Sequence, residues 1–225
     1  MGFRILVADD HEVVRRGLCA LLQSRPEWEV CGEAADGREA VEKSQSLKPD
    51  AVIIDIGMPT LNGLEATRQI LKANPHMKVL VLTLHDSDQM IREVLDAGAR
   101  GFLLKSDAAR DLISAVQALR RDSTYFTSRV AEMVLEGYLK PLTNAVPLTR
   151  FRNLTPRERE VVQLIAEGKS TKEVAVALRL SVKTAETHRS NIMRKLELHS
   201  VSDLVLYAVR NNIVNVAQPS PPIPS

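Results

Sequence analysis

Val52-Ile53-Ile54-Asp55 is a short apolar run closed by a carboxylate, and three other runs in the first half of the chain end in the same abrupt way. Ile5-Leu6-Val7-Ala8 leads into Asp9-Asp10, Val79-Leu80-Val81-Leu82 into Thr83, and Phe102-Leu103-Leu104 into Lys105. Strands buried on both faces of a parallel sheet read as near-continuous Val/Ile/Leu runs, and ligands of such sheets gather at the carboxyl ends of the strands. If these runs lie side by side, three carboxylates, a hydroxyl and an ammonium meet in one crevice.

The pattern around the runs supports that arrangement. Strand-like stretches near 3–8, 28–34, 51–55, 79–84 and 101–105 alternate with amphipathic stretches near 12–24, 38–47, 62–73, 87–97 and 107–121. Strict alternation predicts an α/β doubly wound sheet with helices on both faces. Asp36-Gly37, Lys48-Pro49, Asn62-Gly63, Asn74-Pro75 and Ala97-Gly98 punctuate it at the joints. A five-stranded sheet of this length fits the order 2-1-3-4-5, whose switch point lies between strands 1 and 3, the strands that deliver Asp9, Asp10 and Asp55.

After residue 121 the pattern changes. A short helix is expected over 128–139, with Val130, Met133, Val134 and Leu135 as its apolar stripe, inside a linker spanning 122–149. From 150 to 214 the chain turns helical. Thr155-Pro156-Arg157-Glu158 and Ser170-Thr171-Lys172-Glu173 read as capping boxes, the first with proline at the first helical position, and Gly168 reads as a stop between them. Ser181 and Ser200 begin two further helices, predicting helices near 156–167, 171–178, 182–197 and 201–211. Residues 215–225 are proline-rich and read as a disordered tail.

Composition bounds the function classes. Hydrophobic residues make up 44% and charged residues 26% of the 225, as in a globular protein. No stretch is long and apolar enough to span a membrane, and no signal peptide is apparent, which predicts a cytoplasmic chain without membrane partners. Cys19 and Cys31 lack metal-like spacing and read as reduced thiols filling space. The formal net charge of +2 is uneven, with 12 Lys/Arg against 7 Asp/Glu over residues 150–215 and 18 against 21 before them. A basic second domain fits nucleic acid.

Crowded carboxylates raise each other's pKa unless a cation compensates. Mg²⁺ takes one or two carboxylates and leaves coordination free for a phosphoryl oxygen. Lysine binds phosphate as a point charge, and a threonine hydroxyl can hydrogen-bond the same group. A carboxylate placed there can act as a nucleophile and form an acyl phosphate. Asp55 stands alone at its strand end and is the candidate nucleophile, while the pair Asp9-Asp10 suits the metal. Taken singly, Asp9 or Asp10 also reads as a helix N-cap.

Asp9-Asp10, the D-x-x-M-P string at 55–59, Thr83 and Lys105 together resemble the receiver domain of two-component response regulators, over residues 3 to 121. The resemblance implies that Asp55 is the phosphoacceptor for a histidine kinase. It implies Mg²⁺ bound by Asp10, Asp55 and the backbone carbonyl of Gly57, with Asp9 acting partly through water. It makes Thr83 the switch hydroxyl and Lys105 its salt-bridge partner, with Pro59 shaping the loop after strand 3. Phe102 stands where the family often carries a rotating tyrosine, and Gly57 and His85 flank the acyl phosphate.

In the second domain, residues 170–197 read as helix, turn (Arg179-Leu180-Ser181) and helix. Val174, Ala175 and Leu178 give the first helix an apolar face, and Ala185, Ile192 and Leu196 do so for the second. Lys183, Glu186, Thr187, Arg189, Ser190 and Arg194 lie opposite. A helix-turn-helix lays its second helix in the major groove, with some side chains at base edges and cations at phosphates. The string L-T-P-R-E-x-E-V-x-x-L-I-A-x-G-x-S from Leu154, followed by T-x-x-x-H-R-x-N-I-M-x-K-L from Thr184, closely resembles the four-helix LuxR-type domain. With the receiver in front, the chain resembles a response regulator of the NarL/FixJ family.

That resemblance implies a phosphorylation-dependent transcription regulator, not an enzyme, that binds promoter sites in double-stranded DNA as a homodimer on activation. Glu186, Thr187 and Ser190 become base readers; Lys183, His188, Arg189 and Lys195 become phosphate contacts. His188 reads equally as a packed core histidine. Leu204, Val205 and Ala208 of the last helix become the dimer contact, although simple core packing explains part of that helix's apolar character. Phosphatases that pass through an aspartyl-phosphate offer a rival reading, but the haloacid-dehalogenase type uses Asp-x-Asp, and position 57 is glycine.

Overall fold

The computed structural model describes residues 2–84, 87–126, 154–211 and 213–214. The expected helix over 128–139, His85 and the tail 215–225 lie outside the described residues. The chain divides into two units, Met1–Arg152 and Asn153–Ser225.

The first unit alternates strand and helix: β1 (Phe3–Ala8), α1 (Glu12–Gln23), β2 (Trp28–Ala34), α2 (Gly37–Leu47), β3 (Ala51–Asp55), α3 (Gly63–Ala73), β4 (Lys78–Thr83), α4 (Asp88–Asp96), β5 (Gly101–Leu104) and α5 (Ala108–Arg120). The sheet is parallel throughout, in the order β2-β1-β3-β4-β5 that the sequence predicts. Two turns expected at the joints have clear local causes: Asp36 accepts from the backbone N–H groups of Arg38 and Glu39 at the start of α2, and Asn62 accepts from Glu65 N–H at the start of α3.

Alternation along each strand divides the core by sheet face. Leu6, Val52, Ile54, Val79, Val81 and Phe102 pack against α2, α3 and α4 through Ala40, Leu64, Ile70, Met90, Ile91 and Val94. Ile5, Val7, Ile53, Leu80, Leu82 and Leu103 pack against α1 and α5 through Leu18, Leu22, Leu112, Val116 and Leu119. Both faces are covered, so the central stretches Ile5–Ala8, Ala51–Ile54 and Val79–Leu82 are wholly apolar up to the residue that ends each run. This explains why the run-ending residues stand out in the sequence.

The first unit does not stop at 121. Asp122 turns the chain at φ 58 and is held by Lys78 at 2.8 Å and Arg100 at 3.6 Å. Tyr125 then bridges β5: its N–H donates to Arg100 O, and its carbonyl accepts from Phe102 N–H, both at 3.0 Å. Tyr125 packs on the α1/α5 face and Phe126 on the other. The start of the expected linker therefore closes the β5 edge, which would otherwise expose unpaired backbone groups.

The second unit contains α6 (Pro156–Ala166), α7 (Thr171–Ala177), α8 (Val182–Lys195) and α9 (Val201–Arg210). Thr155 and Ser170 form the expected capping boxes, and Ser200 forms a third with Asp203. Gly168 ends α6 at φ +85, a conformation that glycine adopts without steric cost. Val161, Val162, Leu164, Val174, Ala175, Ala185, Ile192, Leu204 and Ala208 form its core.

Candidate functional site

Sheet register builds the first crevice. Ala8 is paired with Ile54, so Asp9 follows β1 at the level of Asp55; Asp55 is paired with Leu82, and Thr83 with Leu104, so Thr83 and Lys105 leave the sheet alongside. Asp9, Asp55 and Thr83 are all buried. Lys105 opens a 3-10 turn, Lys105–Asp107, instead of ending β5. Its Nζ stands 2.8 Å from Asp9 and 2.9 Å from Asp55. Ligand atoms of Asp9, Asp10, His11 and Asp55 lie within 4.8 Å of one another.

Burial is the strongest influence on Asp55 and pushes its carboxyl above the ordinary range; Asp9 adds to this, while Lys105 and the Gly57 N–H oppose it. Burial also opposes the charge on Lys105, yet Asp55 and Asp9 outweigh it and hold the ammonium above the usual lysine value. The crevice thus keeps one fixed cation between two carboxylates and leaves Asp10 partly exposed at its rim. Two oxygen ligands from strand ends, with a third nearby, suit a hard divalent cation such as Mg²⁺.

Neither aspartate caps α1. His11 occupies the N-cap position without a side-chain cap bond, and its N–H instead donates to Asp9 Oδ1 at 2.9 Å. Phe102 is 1% exposed and turned into the α2–α4 face. The sequence reading treats Gly63 only as a turn residue. In the structure a Cβ there would stand 1.9 Å from the Asp55 carbonyl oxygen, so the missing side chain lets α3 abut the end of β3. An Asn-Gly turn soon after Asp55 is the signal that could have found it.

In the second unit, α7, a turn through Arg179 at φ 53, and α8 form the expected helix pair. Lys183, Glu186, Thr187, Ser190 and Arg194 are exposed on α8, while Ala185 and Ile192 are buried. Arg189 and His188 are half-buried, and Arg189 approaches the Thr171 hydroxyl at 3.5 Å. The Thr187 hydroxyl donates to Lys183 O at 2.9 Å, leaving its oxygen lone pairs outward. Lys195 Nζ stands 2.8 Å from Glu158 of α6, an ion pair at the exposed surface of α8. One expectation needs correction. Leu204 and Ala208 are fully buried in the domain's own core, so neither can present a dimer surface. The exposed apolar side of α9 is Val201 and Leu206, with Val205 half-buried.

The described residues contain no helix long and apolar enough to cross a membrane. The family model "Response regulator receiver domain" matches residues 5–117, and "Bacterial regulatory proteins, luxR family" matches residues 152–208. The chain is 40% identical over 212 residues to the transcriptional regulatory protein LiaR of Bacillus subtilis, covering 94% of this chain and 99% of that one. It is 37% identical over 214 residues to the response regulator protein VraR of Staphylococcus aureus, covering 95% and 100%. Among solved structures, RcsB of Salmonella enterica serovar Typhimurium, bound to the rprA promoter in the presence of phosphomimetic BeF3-, is similar with a TM-score of 0.58, 28% identity and coverage of 92% and 98%. A strand-end acidic crevice with its bridging lysine, a capped helix-turn-helix and both family matches agree: the chain belongs to the two-component response regulators of the NarL/FixJ family, with a receiver domain followed by a LuxR-type DNA-binding domain.

Proposed function

We propose that Asp55 accepts a phosphoryl group from a histidine kinase or a small phosphodonor, and that this controls binding of a homodimer to promoter DNA through α8. The observation that carries this reading is Lys105, whose ammonium spans Asp9 and Asp55 at the strand ends. One Asp55 carboxylate oxygen attacks phosphorus in line, and the bond from phosphorus to the donor breaks with its electron pair leaving on the donor. Lys105 then has a phosphoryl oxygen to pair with, and the Thr83 hydroxyl donates to another. Asp10, Asp55 and the Gly57 carbonyl would hold Mg²⁺, with Asp9 beside them, and the ion supplies charge neutralisation for the transferring group. Position 57 carries no second carboxylate, so the site lacks the acid or base that the haloacid-dehalogenase type uses for rapid turnover.

On DNA, Glu186, Thr187 and Ser190 read base edges, Glu186 as an acceptor for cytosine N4, while Lys183, His188, Arg189 and Lys195 hold phosphates. Val205 with the neighbouring Val201 and Leu206 forms the dimer contact. The similarity to RcsB bound to its promoter with BeF3- supports this coupling of acceptor site and DNA.

Incubation with a small phosphodonor and Mg²⁺, followed by intact mass measurement, tests the acceptor. Wild type should gain one phosphoryl group and Asp55→Ala none. Adding BeF3- should raise both dimer content and promoter affinity; unchanged values for both would overturn the coupling.

A further inference from the structure

The loop that carries the acidic pair is held by a residue with no assigned part in the chemistry. Arg15 lies one turn into α1, and its side chain is 15% exposed. It reaches back, so that one terminal nitrogen donates to the carbonyl oxygen of Asp9 at 2.7 Å and Nε donates to Glu33 at 3.0 Å. The other polar groups of Asp9 are also in use. Its N–H donates to Ala34 O at 3.1 Å, Oδ1 accepts from His11 N–H, and Oδ2 pairs with Lys105.

The carbonyl that Arg15 holds belongs to the Asp9–Asp10 peptide. A peptide is planar, so fixing this oxygen fixes the plane that leads to the Asp10 Cα. Asp10 itself has few restraints: its side chain is 27% exposed and meets the exposed ring of His11 at 2.8 Å. The usual restraint on such a loop, a side-chain cap at the helix start, is missing because His11 makes none. Arg15 takes its place with a charge-assisted bond in a largely buried setting, and Glu33 at the end of β2 orients the guanidinium.

We propose that Arg15 is a positioning residue for phosphoryl acceptance, setting the Asp9–Asp10 peptide so that Asp10 is presented to the divalent cation. This rests on the reading that Asp10 and Asp55 hold Mg²⁺. A merely structural clamp between α1 and β2 would instead change stability and leave metal affinity alone. Outer hydrogen bonds that orient metal ligands are typically worth about 10–100-fold in affinity.

The experiment is calorimetric titration of the full chain with Mg²⁺, with the metal-free melting midpoint followed by Trp28 fluorescence. Arg15→Ala should raise the Mg²⁺ Kd by about tenfold. Arg15→Lys, which reaches one acceptor at a time, should recover part of the loss. Glu33→Gln, whose amide oxygen can still accept from Nε, leaves the Asp9 contact in place and should cost clearly less affinity than Arg15→Ala. Arg15→Ala binding as wild type does, or Glu33→Gln weakening affinity as much as Arg15→Ala, overturns the proposal. If Arg15→Ala fails to fold, Arg15→Lys and Glu33→Gln decide: a larger loss in the first supports it, and equal affinities overturn it. Wild type failing to bind Mg²⁺ would overturn the underlying reading instead.

Discussion

Lys105 and Asp55 meet at 2.9 Å at the ends of strands that are not neighbours in the sheet, and the same ammonium lies 2.8 Å from Asp9. One lysine therefore compensates two buried carboxylates. It is the counter-charge of the crevice, and in the proposed reaction it would be the partner of the phosphoryl group.

Lys105→Met keeps the volume of the stem and removes the charge, leaving Asp9 and Asp55 uncompensated. Breaking a buried ion pair on one side costs about 3–5 kcal/mol. Metal-free urea unfolding at neutral pH, read from Trp28, the single tryptophan and a residue of β2, should show a loss of that order. Mg²⁺ should restore much of it, because the ion replaces the missing positive charge. Equal stability of the two proteins without metal would overturn this account.

Gly63→Ala and Gly17→Ala form a matched pair. The first places a Cβ 1.9 Å from the Asp55 carbonyl oxygen, whereas a Cβ at Gly17 meets nothing within 4 Å. Overpacking costs about 1–3 kcal/mol, so Gly63→Ala should unfold more easily and take up phosphoryl groups more slowly. Gly17 lies within α1, where alanine is favoured over glycine by about 1 kcal/mol. Gly17→Ala should therefore match or exceed wild-type stability. Thermal melts and phosphodonor time courses on both variants make the comparison.

Burial pushes the Cys19 thiol up to about 11, with Glu33 adding to the shift. A raised folded-state value means that the protonated thiol contributes stability below its unfolded value. That contribution disappears as pH rises through about 11. At pH 8 the native thiol should resist alkylation and become reactive only on unfolding. Mass-resolved labelling with and without urea checks this, and rapid native labelling of Cys19 would contradict it.

Lys183 and Lys195 sit on the same helix but should behave differently on DNA. Lys195 is paired with Glu158, whereas Lys183 is exposed on α8. Lys183→Ala should lower the salt slope of DNA binding by about 1. Lys195→Ala should lower the slope by less, because its ammonium must leave Glu158 to reach a phosphate, and should cost about 0.2–1 kcal/mol of domain stability, as exposed pairs do. Binding isotherms at several salt concentrations separate the two.

On α9, Leu206 is 52% exposed and Leu204 is fully buried. Leu206→Asp should leave the fold intact and weaken BeF3--induced dimerisation measured by light scattering. Leu204→Ala should cost about 2–5 kcal/mol through the cavity it leaves. A Leu206→Asp protein that dimerises normally would move the contact to another face.

The acceptor crevice was legible because strands buried on both faces tolerate only apolar residues, so Asp9, Asp55, Thr83 and Lys105 interrupt an otherwise uniform signal. The helix starts of the second unit were legible because a capping box is local, closed within four residues such as Thr155 to Glu158. Burial on α9 was not. Leu204, Val205, Leu206 and Ala208 are all apolar, and helical periodicity alone does not say which side meets the core.

The sequence by itself determined the strands, the polar residues that end them (Asp9, Asp55, Thr83 and Lys105) and the helix-turn-helix, because each follows from short-range pattern and the chemistry of residue types. Tertiary structure alone decided that Gly63 abuts the Asp55 carbonyl, that Arg15 holds the Asp9 carbonyl, that Lys195 is tied to Glu158 and that Tyr125 closes the β5 edge. The Arg15–Asp9 and Gly63–Asp55 contacts join residues close in the chain and the other two join distant segments, and all but the Lys195 pair run through backbone carbonyls, which carry no residue-specific signal. Such contacts exist only once packing has brought the elements together.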